Sequence, residues 1–269
     1  MTAALADRTV VAAPRPGFAH VLRAEWIKFW SVRSTAWSVA SLFALGAGLT
    51  VLVCATSADW LASADADESP YSFVTWGLMI AQVTAVVLGT LVATSEYGTG
   101  MVRATLAAVP RRGPVLAAKA IVLTGTLLVT GTVTAFVGYL GGNAFLSAAG
   151  VGVPFDGDGV LRALLGSGLY LAGLGLLSMA VGLLVRHTAA ALSAVLAVVF
   201  VLGNMAFLLP GTWGEWVAKV LPGNAGSPVA TPVSFNPDLL GPWTGFAVFA
   251  AEVAVLLAVA AVTFQRRDA

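Results

Sequence analysis

Residues 163–185 read ALLGSGLYLAGLGLLSMAVGLLV, an unbroken run without charge, closed by Arg162 on one side and Arg186 on the other. At ~1.5 Å per residue, a helix of that length crosses the ~30 Å hydrocarbon core of a bilayer. Working outward, residues 34–58, 69–95, 120–155 and 188–214 also carry no Asp, Glu, Lys or Arg, and 239–265 carry only Glu252. Trimmed to their apolar centres, these stretches predict six spans at 35–55, 73–94, 120–140, 162–185, 188–209 and 243–264. Composition agrees. Of the 269 residues 58% are hydrophobic and 10% charged, with a mean hydropathy of +0.90. A soluble domain carries about 25% charged residues. A soluble globular fold and a disordered chain are both excluded. The lone Cys54 excludes an internal disulfide and a cysteine-based zinc or iron–sulfur site. A net charge of +1 gives no reason to expect nucleic acid.

Orientation follows from Lys and Arg in the loops, because cytoplasmic segments hold the positive residues. With six spans, all 14 Lys and Arg except Arg162 and Lys219 fall on one side. Asp59, Asp65, Asp67, Glu68, Asp156 and Asp158 fall on the other. The expected fold is therefore an all-α integral membrane protein with six transmembrane helices and both termini cytoplasmic, in the plasma membrane. Residues 1–16 read as a flexible cytoplasmic arm, since the apolar piece at 9–13 is too short for a signal-peptide core. Residues 17–269 read as one transmembrane domain.

Between 17 and 34 the chain is too charged to span. Phe18, Leu22, Trp26 and Phe29 share a helical face, into which Glu25 and Arg33 intrude. Trp26, Trp30 and Trp37 suit the headgroup level, so the segment predicts an interfacial helix on the inner leaflet. The plainer alternative is a basic loop that only sets topology. The segment 95–119, SEYGTGMVRATLAAVPRRGPVLAAK, reads as the longest internal cytoplasmic loop. Helical spacing of Met101, Thr105 and Ala108, and of Val102, Leu106 and Val109, predicts a short amphipathic helix. Gly98 and Gly100 break the chain before it, and Pro110 and Gly113-Pro114 stop it after. Such a helix docks into a groove on a soluble partner, or the loop is merely topogenic.

The fourth span carries Gly166, Gly168, Gly173, Gly175 and Gly182. Its small-xxx-small pairs favour close helix packing, either inside the bundle or at a subunit interface. Gly125, Gly131, Thr132, Thr134 and Gly138 make the third span a second protein-facing helix. In the last external loop, Glu215 and Lys219 are an i, i+4 pair beside Trp213 and Trp216, predicting a short surface helix. The stretch 221–226, LPGNAG, reads as irregular chain. Glu252 stands mid-span, where a charge costs several kcal/mol unless paired, neutralised or facing water. It is either functional or a protonated acid bonded to a neighbouring helix, with Gln82 or a Thr as partner.

No G-x-x-x-x-G-K-[ST], H-E-x-x-H or dinucleotide fingerprint occurs. Catalysis by this chain is not expected, nor is a bound cofactor or metal.

Three features together resemble the permease subunit of an ATP-binding-cassette (ABC) exporter of the type-two family common in actinobacteria. These are six spans with both ends inside, the lead-in R-A-E-W-I-K at 23–28 with Ser31 and Arg33, and a loop similar to E-Y-x-x-G-T-x-R-x-x-L-x-x-x-P-x-R followed by a Lys. The loop residues are Glu96, Tyr97, Gly100, Arg103, Leu106, Pro110, Arg111 and Lys119, with Met101 in place of the pattern's Thr. The segment 219–226 resembles a recurring element of the last external loop. The resemblance implies an elbow helix holding Glu25 and Lys28, and a cytoplasmic coupling helix between spans two and three. It also implies a second permease copy or paralogue and separate cytoplasmic ATPases that carry ATP-Mg. Glu25, Lys28, Glu96, Tyr97, Gly100, Arg103, Leu106, Pro110 and Arg111 would then serve ATPase coupling. Two other classes stay open: a membrane scaffold anchoring an ATPase for signalling, and an ion-coupled carrier using Glu252 with Gln82.

Overall fold

The computed structural model describes residues 17–101, 112–234, 236 and 238–266, and every regular element among them is helical. The main helices are α1 (Phe18–Ser31), α2 (Arg33–Leu61), α3 (Leu78–Thr99), α4 (Arg112–Ala148), α5 (Val160–Val185), α6 (Thr188–Leu196), α7 (Gly211–Val220) and α8 (Pro242–Arg266). Six helical stretches are long and apolar enough to cross a membrane. They are Arg33–Leu61, Pro70–Gly98, Arg112–Ala148, Val160–Val185, Thr188–Met205 and Pro242–Arg266. Each contains most of one expected span, and several run well past it. Charge gaps mark where lipid is tolerated, whereas helices continue beyond the hydrocarbon where their ends pack on protein.

Helix α5 is the centre. Two thirds of its most apolar window is buried, against 22–50% in the other five. Its glycines explain why. A Cβ on Gly89 of α3 would lie 2.2 Å from the Gly175 carbonyl oxygen, and one on Gly168 would lie 2.5 Å from the Leu128 carbonyl oxygen of α4. Helix backbones touch at these points because no side chain stands between them, which is how helices associate where lipid removes the usual hydrophobic drive. Of the two readings of the small residues in the fourth span, internal packing is the one realised. The third span likewise packs on protein: Gly138 and Gly142 of α4 receive Thr50 and Cys54 of α2. Cys54 is fully buried filler.

Side-chain bonds group the helix ends. At one end, Arg112 at the start of α4 donates to the Phe264 carbonyl near the end of α8 at 2.7 Å, and Thr188 of α6 donates to Thr94 of α3 at 2.8 Å. At the other end, Tyr139 and Asn143 of α4 donate to the Val153 carbonyl in the loop leading to α5. Tryptophans stand exposed toward both ends: Trp26, Trp30 and Trp37 at the first, and Trp60, Trp213, Trp216 and Trp243 at the second. Indole rings favour the two membrane–water interfaces.

Three local expectations need correction. The described residues of the loop 95–119 are mostly helical: α3 continues to Thr99, and α4 begins at Arg112. Gly98 lies inside α3, and Gly113-Pro114 open α4 rather than stop a helix. Proline is tolerated in a first turn, where the missing N–H has no helical partner anyway. Gly100 does end α3, with φ +71°. The predicted amphipathic helix over 101–109, with Arg103, Leu106, Pro110 and Arg111, falls outside the described residues apart from Met101. On α1, Val21, Glu25 and Phe29 are buried, while Phe18 and Trp26 of the expected Phe18–Leu22–Trp26–Phe29 face are exposed. The stretch 221–226 is ordered: Pro222–Gly226 and Ser227–Ala230 form two short helical turns, with Ala225, Val229 and Ala230 fully buried. Finally, α7 forms where the short surface helix is expected, but the Lys219 ammonium sits 5.7 Å over the Trp216 ring and makes no ion pair with Glu215 among the described residues.

Candidate functional site

Four charged residues from three helices meet at the first end. Glu25 and Lys28 come from α1, Glu96 from the last turn of α3, and Lys119 from the second turn of α4. Lys28 Nζ lies 2.7 Å from Glu25 Oε1 and 2.6 Å from Glu96 Oε1. Lys119 Nζ lies 3.0 Å from Glu25 Oε2 and also donates to Glu96 Oε1. Each ammonium touches both carboxylates, so the ring is closed and its formal charge is zero. Three of the four are buried: Glu25, Glu96 and Lys119 are 6%, 4% and 9% exposed.

The local causes are simple. Glu25 and Lys28 are three residues apart on α1 and therefore share a face. Val21 and Phe29 bury that face, with Val21 packed on Val115 and Ala118 of α4. A carboxylate carried into such a contact must be paired, and Lys119 and Lys28 supply the pairing. Burial works against the Lys28 charge, but hydrogen bonds and attraction from Glu25 and Glu96 outweigh it, holding its ammonium above the ordinary lysine range. A small cavity of about 60 Å³ adjoins the ring, bordered by Ser34, Thr35 and Ser95.

Around the ring, Tyr97 lies under the Arg186 guanidinium at 5.1 Å. Arg186 ends α5 with φ +57°, a strained value for a residue with a side chain. Of the residues expected to serve coupling, the structure thus brings Glu25, Lys28 and Glu96 into one cluster, places Tyr97 next to Glu96 on α3 and Gly100 just past that helix's end, and leaves Arg103, Leu106, Pro110 and Arg111 outside the described residues. Lys119 completes the ring, although sequence reasoning treated it only as the trailing residue of a motif. The available signal was Glu25: an acid on an otherwise apolar helix face asks for a cation.

The expected intramembrane pair does not form. Gln82 Oε1 accepts from the Tyr170 hydroxyl at 2.9 Å. Glu252 is half-buried, and its Oε2 has no hydrogen-bond partner. At the second end, Arg162 donates to the carbonyls of Pro228, Val229 and Pro232 at 2.7, 3.3 and 3.0 Å. Asn224 Nδ2 donates to those of Gly203 and Ala218, both at 3.0 Å. Arg162 also had a signal, as one of two cations on the side otherwise poor in them. Among the described residues no group of three or more His, Cys, Asp or Glu is placed to hold a metal ion.

No family model matches the chain, and no curated protein matches it either.

Proposed function

We propose that this chain is the permease subunit of an ABC exporter, forming the translocation path while a separate cytoplasmic ATPase supplies energy. The observation that carries the proposal is the closed ion ring. It ties α1 to the ends of α3 and α4 that flank residues 100–111, the two segments whose motifs resemble the elbow and coupling helices of that family. A force applied to the 100–111 segment is passed to α3 and α4, and through Glu96 and Lys119 to α1. Such a linkage suits a machine in which nucleotide-driven closure must be felt in the bilayer. In this reading both termini are cytoplasmic, a second permease copy or paralogue completes the path, and the chain itself holds no nucleotide, cofactor or metal. The first, second and fifth spans border the seam between the two copies.

Two experiments test the reading. Arg103→Glu is expected to lower ATPase association and stimulated ATP hydrolysis by about tenfold, the effect of one reversed charge in a docked interface, with the melting temperature unchanged. Unchanged stimulation overturns docking at that segment. A cysteine at Ser63 in a Cys54→Ala background is expected to react with an impermeant thiol reagent in whole cells, and one at Ala107 is not. The reverse pattern overturns the orientation.

A further inference from the structure

Between the first turns of the second span, the middle of α5, the fifth span and the turns at 222–231 lies a cavity of about 250 Å³. Its walls hold Trp76, Tyr170 and Phe200 as apolar and aromatic surface, and Thr75, Gln82 and Asn224 as polar groups. Among the described residues no Asp, Glu, Lys, Arg or His lines it. Thr75 is 4% exposed, and its hydroxyl has no hydrogen-bond partner. A buried hydroxyl left in that state costs free energy that a ligand's polar group would recover. Because the Tyr170 hydroxyl occupies Gln82 Oε1, the Gln82 amide is fixed with its NH2 free to donate. Asn224 spends its NH2 on two backbone carbonyls, which leaves Oδ1 as an acceptor.

The wall formed by the fifth span is unusual. Residues Ala197–Leu202 form a π-helix, which brings Phe200 to the cavity, and Asn204 Nδ2 donates back to the Phe200 carbonyl at 2.6 Å. Short π-helical segments widen a helix and recur at functional sites.

We infer that this cavity binds an uncharged amphiphile, whose carbonyl or hydroxyl head bonds Thr75 and Gln82 and whose apolar body lies against Trp76, Tyr170 and Phe200. The chemistry selects the class. Three aromatic faces with a few fixed donors and acceptors are the usual make-up of a small-molecule site. A carboxylate or ammonium head would find no counter-charge here and would be desolvated without return. That the occupant is cargo rests on the export reading; that it binds rests on the cavity alone.

The test uses the full chain in nanodiscs with no ATPase present. The probes are diazirine-bearing 1-decanoylglycerol, decanoate and decylamine, which share a chain and differ in head charge. Photolabelling by the glycerol ester is expected at Trp76, Met79 or Phe200, and the charged probes are expected to label these positions at least about tenfold less. Gln82→Leu and Thr75→Val should each weaken labelling about fivefold, whereas Thr75→Ser, which keeps the hydroxyl, should retain it. Equal labelling by all three probes overturns the inference. So does labelling confined to a second, apolar groove lined by Leu128, Phe246 and Leu257, or loss of labelling in Thr75→Ser that matches Thr75→Val at equal melting temperature. Charge-selective labelling in a chain that fails to stimulate any ATPase would leave the site standing and remove the export reading.

Discussion

At one end of the bundle Glu25, Lys28, Glu96 and Lys119 bind one another through side chains alone. At the other, Arg162 and Asn224 bind backbone carbonyls of the 203–232 region, and Gly166 lets that segment lie directly on α5. The first arrangement consists of charges whose partners can be exchanged. The second fixes main chain against main chain. A carbonyl held by a guanidinium, next to a glycine with no spare room, has one geometry; four charges on three helices have several. In the export reading the difference says where movement enters: at the ion-ring end, with the carbonyl-bound end as the fixed reference.

That contrast is open to direct attack. The largest effect is expected from Lys119→Met, which leaves two buried carboxylates sharing Lys28. Breaking such a cluster on one side costs about 3–5 kcal/mol. Thermal unfolding of the reconstituted protein would measure it. Replacing all four residues by apolar ones of similar size should restore the melting temperature, because a neutral buried ring contributes little net stability. If coupling to a partner also survived that replacement, the ring would not be the movable element. Next comes Gly166→Val at the fixed end. A Cβ there would lie 2.1 Å from the Val229 carbonyl oxygen, with backbone on both sides and nothing flexible to give way. A loss of about 3 kcal/mol is expected from the same unfolding measurement, at the upper end for overpacking. The smallest effect is the pH response of Lys28. Its ammonium is favoured in the folded state, so its contribution is complete below the ordinary lysine value of 10.5 and is lost as pH rises through the higher folded value. Melting measured from pH 9 to 12 should fall more in wild type than in Lys28→Met. Identical slopes would show that Lys28 is not held by the ring.

Much of the fold was legible because a bilayer forbids unpaired charge. Charge-free stretches locate the helices, and the glycines of residues 163–185 mark the helix that others must approach. The misreadings share a cause. Glu25 reads as an intrusion on the apolar face of α1, yet it is the residue that ties α1 to Lys119. The segment 95–119 seemed a loop because it is charged, yet Glu96 and Lys119 sit on helices that meet each other's charge at close range. Proline and glycine in 221–226 signal turns, but periodicity carries no information on whether a turn is buried, and Asn224 and Arg162 act only once the tertiary fold brings carbonyls to them. The Gln82–Tyr170 bond displaced the expected Gln82–Glu252 pair for the same reason. Partners 88 residues apart are set by packing, not by spacing along the chain.

Helix α4 runs for 37 residues. At ~1.5 Å per residue it is ~55 Å long, nearly twice the hydrocarbon thickness of a bilayer, and in the export reading the excess length is a lever arm. A swing of ~5° about its far end would sweep the near tip by ~5 Å, about the rise of one helical turn. Lys119 rides about two turns from that tip and would move by ~4 Å, enough to part it from a carboxylate now 3.0 Å away. A small tilt at the Arg112 end is therefore enough to trade one set of charge partners for another.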